Sequence, residues 1–122
     1  MKTRPTTPKV AKSQLRVPFS EEEYRILEER YLSMSADYRK DMSINQYLAD
    51  IFTSEIRPLQ KQMDDTNQIT LTINHSVQNK YSIHLYAYIY TMDMQSLEAL
   101  ARYIGYNRVN LFRYLVLKRL YE

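Results

Sequence analysis

From Gln14 to Phe19 the chain alternates: Leu15, Val17 and Phe19 stand between Gln14, Arg16 and Pro18, which predicts a short strand with one buried face. Pro18 cannot donate a backbone hydrogen bond and so belongs near the strand's end. At Ser20 the period changes. Ser20-Glu21-Glu22-Glu23 is a helix start, with a hydroxyl to cap free N–H groups, Glu23 to complete a capping box, and carboxylates at the positive end of the dipole. Tyr24, Leu27, Tyr31 and Met34 then share one helical face. The polar stretch Ser35 to Met42 interrupts the pattern, and Ser43 caps a second helix carrying Ile44, Tyr47, Leu48, Ile51 and Phe52. Pro58 marks an end or kink, and residues 57–67 read as a last turn and linker.

The alternation returns at Ile69, Leu71 and Ile73 and again from Tyr81 to Tyr90, with polar residues 75–80 between, which predicts a central β-hairpin. A helix with Leu97, Leu100, Ala101 and Ile104 on one face follows. It stops at Gly105, the only glycine of the chain, suited to a left-handed C-cap. Asn107 caps a final helix whose Leu111, Phe112, Leu115, Val116 and Leu120 make a broad apolar stripe. The fold class is therefore α+β. Its expected divisions are a basic arm (1–13), a strand–helix–helix unit (14–66), and a hairpin plus a second such unit (67–122).

Composition narrows the function. The chain has 122 residues, with no cysteine to form a disulfide, thiolate metal site or nucleophile. There is no apolar run long enough to cross a bilayer and no signal-peptide core at the N-terminus, so a cytosolic protein without membrane contact is expected. The net charge of +3 is unevenly spread. Residues 1–18 hold Lys2, Arg4, Lys9, Lys12 and Arg16 and no acid. Residues 19–65 carry six bases against eleven acids, and residues 66–122 six against three. A basic arm ahead of an acidic body suits nucleic-acid binding, where phosphate neutralisation releases counterions, although a solvated tail has the same composition.

Two segments, Gln14–Arg57 and about Ala87–Tyr121, share one order: strand, helix, turn, capped apolar helix. The carrying residues are Gln14-Leu15-Arg16-Val17-Pro18-Phe19-Ser20-Glu21-Glu22-Glu23-Tyr24 in the first. In the second they are Leu97-Glu98-Ala99-Leu100-Ala101-Arg102-Tyr103-Ile104-Gly105-Tyr106-Asn107-Arg108. On these the chain resembles the ribbon-helix-helix family of DNA-binding proteins, the class of the Arc and methionine repressors and of plasmid mobilisation and relaxosome accessory proteins. The resemblance implies a two-stranded ribbon in the major groove of double-stranded DNA. Gln14 and Arg16, with Lys12 before them, would contact bases. Backbone N–H groups at Ser43, Ile44 and Asn45 would meet a phosphate, and Lys2, Arg4 and Lys9 would add phosphate contacts. The chain departs from the family in the long, glycine-free connection Ser35–Met42. It departs again in its second strand, where aligning the helices sends Ala87, Ile89 and Thr91 to the base-reading face.

A ribbon needs two strands. Either strand 14–19 pairs with 87–92 of the same chain, or it pairs with its twin in a homodimer, which the second half could bridge into a tetramer. The twin arrangement is the expectation, because Gln14 and Arg16 from two chains read bases better than Ile89 and Thr91.

Other chemistry is weak. Twelve tyrosines invite a tyrosine-nucleophile reading, but only His75 and His84 are present to support it. Tyr86, Tyr88 and Tyr90 could instead stack single-stranded bases. Glu21–Glu23 are explained by the helix start, and Asp64-Asp65 read as a solvated linker. No glycine-rich phosphate loop exists. No catalytic residue, metal or cofactor is expected. The expected function is sequence-specific DNA binding as a relaxosome accessory factor or autoregulatory repressor, with a relaxase as a protein partner. The alternatives are an antitoxin whose C-terminal half binds a toxin, and a protein-interaction module.

Overall fold

Seven elements follow one another in the computed structural model, which describes residues 11–69, 71 and 83–122. They are β1 (Lys12–Phe19), α1 (Glu21–Leu32), α2 (Ala36–Lys40), α3 (Ile44–Thr66), β2 (Ile83–Tyr90), α4 (Thr91–Ile104) and α5 (Arg108–Leu120). β1 and β2 pair antiparallel in a two-stranded sheet, with Lys12 opposite Tyr90 and Phe19 opposite Ile83.

Alternation decides which way the sheet faces. Leu15, Val17 and Phe19 of β1 and Leu85, Ala87 and Ile89 of β2 are all buried on one side. The helices close over that side, with Leu27 from α1, Leu48, Phe52 and Ile56 from α3, Leu97 and Leu100 from α4, and Leu111, Phe112 and Leu115 from α5 in one hydrophobic core. Phe52 and Phe112 stack there at 4.5 Å between centroids. The two strand–helix–helix segments thus share a single apolar interior.

Most helix ends follow the local chemistry. Ser20 Oγ accepts from the Glu23 N–H while the Glu23 carboxylate accepts from the Ser20 N–H, a complete capping box. Ser43 and Asn107 cap α3 and α5 through Gln46 N–H and Asn110 N–H. Gly105, at φ +79°, ends α4 with Tyr106 N–H on Ala101 O and Gly105 N–H on Arg102 O.

Several expectations are corrected. The twin pairing is replaced by pairing within one chain, because β2 supplies the apolar face that completes that of β1. The second strand runs over 83–90 rather than 87–92, so Ala87 and Ile89 face the core and Thr91 opens α4. α3 continues through Pro58 to Thr66 and ends at left-handed Asn67, because Leu59 beyond the proline is still buried against the core. Asp64 and Asp65 accordingly lie on this helix, accepting from Gln60 and Lys61 one turn back, and are not a linker. Finally, the Ser35–Met42 connection contains α2, capped by Ser35. The central hairpin falls largely outside the described residues, but the partner of β2 is β1, and Ile69 and Leu71 are not in a strand. Among the described residues, no helix is long and apolar enough to cross a membrane.

Candidate nucleic-acid interface

The side of the sheet opposite the core is polar. Lys12, Gln14 and Arg16 project from β1 and are exposed, and His84, Tyr86 and Tyr88 project beside them from β2. The register sets Gln14 against Tyr88, Arg16 against Tyr86 and Pro18 against His84. The three residues expected to contact bases are therefore gathered on one face, about 7 Å apart along β1.

Side chains on this face are held by contacts within the chain. Gln14 Nε2 donates to the Tyr88 hydroxyl at 2.9 Å, leaving the amide oxygen and the phenolic hydrogen available. Lys12 Nζ lies 5.0 Å from the Tyr90 ring centroid, and the Arg57 guanidinium 5.6 Å from the same ring. Tyr86 and Tyr88 are 41% and 53% exposed, large for rings on a sheet.

The ribbon is held from behind by two buried carboxylates. Arg113 of α5 donates from Nη2 to both oxygens of Glu23, at 2.7 and 2.8 Å, and from Nε to the Pro18 carbonyl at 2.8 Å. Both side chains are almost fully enclosed, at 9% and 4% exposure. Since N and O of one strand residue point the same way, the ring nitrogen of Pro18 also faces away from β2, and no inter-strand bond is lost to it. Asp93, buried at the first turn of α4, takes two bonds from Arg57 of α3. Those bonds, the neighbouring charge second to them, push the already high Arg57 pKa further up, so Arg57 stays cationic. In both pairs the acid comes from one segment and the arginine from the other.

Of the remaining expected contacts, Ser43, Ile44 and Asn45 are at the start of α3 and not on the ribbon. Ser43 spends its hydroxyl on the cap of α3, with Ile44 and Asn45 in its first turn. Asn45 Oδ1 is enclosed without a hydrogen-bond partner among the described residues. Lys2, Arg4 and Lys9 lie outside the described residues. Sequence reasoning missed His84, Tyr86 and Tyr88 as companions of Gln14 and Arg16. The signal was there: even-numbered residues 84–90 are polar-tipped and odd-numbered 85–89 apolar, which already sets the tyrosines opposite the core. Among the described residues no cluster of His, Asp and Glu suits a metal ion. No protein-family model matches the chain, and no curated protein or solved structure matches it.

Proposed function

We propose that the protein binds double-stranded DNA sequence-specifically, as a ribbon-helix-helix fold completed within one chain, with the β1–β2 ribbon in the major groove. The observation that carries this reading is the polar ribbon face, with Gln14, Arg16 and Lys12 side by side and backed by a continuous core. A two-stranded ribbon fits the groove, glutamine pairs bidentately with adenine, and arginine pairs with guanine. Supporting it is the order of strand, helix and capped helix, which β2, α4 and α5 follow and which β1, α1 and α3 follow with the short α2 between. An offset of 70 residues brings Leu15, Val17, Phe19 and Glu23 onto Leu85, Ala87, Ile89 and Asp93, matching buried apolar with buried apolar and buried acid with buried acid.

The test is titration of duplex DNA selected from a random pool. Arg16→Ala and Gln14→Ala should each weaken binding to the selected site by about 1–3 kcal/mol and affect unrelated duplex far less. Equal losses on both would show that the ribbon does not read bases.

The exposure of Tyr86 and Tyr88 favours one second reading, stacking of single-stranded bases. Tighter binding of a single strand than of any duplex, abolished by Tyr88→Ala, would establish it instead. For the biological role, the resemblance of Arg16 to Tyr24 to mobilisation accessory proteins favours a relaxosome accessory factor or autoregulatory repressor. An antitoxin is less well supported: such C-terminal halves are usually disordered until bound, whereas β2, α4 and α5 pack into the common core.

A further inference from the structure

We infer that the protein recognises a DNA site without inverted-repeat symmetry, one chain per site and in one fixed orientation. This rests on the DNA-reading ribbon proposed above.

The two ends of the ribbon differ in chemistry. Under the 70-residue offset Arg16 and Tyr86 are equivalent, and the register also sets them opposite each other. A symmetric ribbon would have its twofold axis between them. Moving from that axis in one direction, the face presents Gln14 bonded to Tyr88, then Lys12 beside Tyr90. In the other direction it presents Pro18 and His84. A twofold would require His84 to match Gln14 and Pro18 to match Tyr88. Neither does. One end offers an amide, a phenol and an ammonium group, while the other offers an imidazole beside a ring with no donor.

The ends also address different bases. Gln14 and Pro18 are four residues apart, about 13 Å along the strand, which corresponds to roughly four base-pair steps. Each base pair shows its own pattern of donors and acceptors in the major groove, so two chemically different ends select different sequences there. A homodimeric ribbon repeats one strand and must read an inverted repeat. Here the second strand is a different sequence, and the core behind it is already complete without another copy. Turning the DNA end for end would put the amide–phenol end over the wrong bases, which fixes the orientation.

The test uses the full chain and a random duplex library. Selected sequences should share a motif that is not an inverted repeat, and native mass spectrometry of the complex should show one chain per duplex. Gln14→Ala should then relax base preference on one side of the motif and His84→Ala on the other, each by about tenfold. Both side chains are exposed, so the variants keep the core. An inverted-repeat motif, two chains per site, or relaxation of both sides by Gln14→Ala would overturn the inference and leave the DNA reading standing. Failure to enrich any duplex would overturn both.

Discussion

Glu23 shows how one side chain can serve two levels of structure. One carboxylate oxygen closes the capping box of α1, and both bind Arg113, which is 90 residues away in sequence. Removing only the arginine strands a buried charge, so Arg113→Met should lower stability by about 3–5 kcal/mol in urea denaturation. Adding Glu23→Gln should recover most of that loss, because glutamine keeps the capping box and carries no charge. A double variant no more stable than the single one would mean that the Pro18 carbonyl contact, not the charge pair, is what matters. The first role of Glu23 was legible from its spacing after Ser20. The second was not, since nothing in a linear pattern joins residue 23 to 113, and the same holds for Asp93 and Arg57. Gln14 and Arg16 were legible because alternation with Leu15 and Val17 leaves them one face. The β2 side was misread by one residue, and a one-residue slip turns every side chain over.

At the scale of elements, caps and apolar stripes located α1, α3, α4 and α5 well, because those signals are local. Pro58 misled. A proline inside a helix removes one hydrogen bond and crowds the preceding turn, at a cost of about 3 kcal/mol relative to alanine. α3 tolerates it because burial of Leu59 and partial burial of Met63 hold the next turns to the core. Tertiary packing of that kind leaves no trace in the local pattern. Pro58 is exposed, so Pro58→Ala restores the bond to the Ser54 carbonyl without disturbing packing. It should raise stability by about 2 kcal/mol, after allowing up to about 1 kcal/mol for the freer unfolded chain. An unchanged midpoint in thermal or urea melts would show that the helix has already relaxed around the proline.

For the molecule as a whole, the arrangement of strands makes the two segments dependent on each other. Each buried acid is neutralised from the opposite segment, and the core face of β1 is completed only by β2. Residues 1–66 alone should therefore lack a cooperative melting transition and near-ultraviolet circular dichroism, while the full chain shows both. A fragment 1–66 that folds and shifts duplex DNA as a dimer would show that the first segment can be its own partner. The strand–helix–helix order was visible in the sequence, but the choice between a twin and an internal partner was not. It depended on which face of residues 83–90 is apolar, and the misplaced register hid that.

The pairing of Lys12 with Tyr90 and of Phe19 with Ile83 also imposes a schedule during synthesis. β1 leaves the ribosome first and finds no partner until at least 64 further residues have been added, as the Phe19–Ile83 pair requires. At roughly 5–20 residues per second, this is several seconds during which Leu15, Val17, Phe19 and the parts of α1 and α3 that pack on β2, α4 and α5 lack their partners. Residues 1–65 carry eleven bases and eleven acids, so this waiting half is neutral overall, and net charge does not keep nascent chains on neighbouring ribosomes apart before β2 emerges.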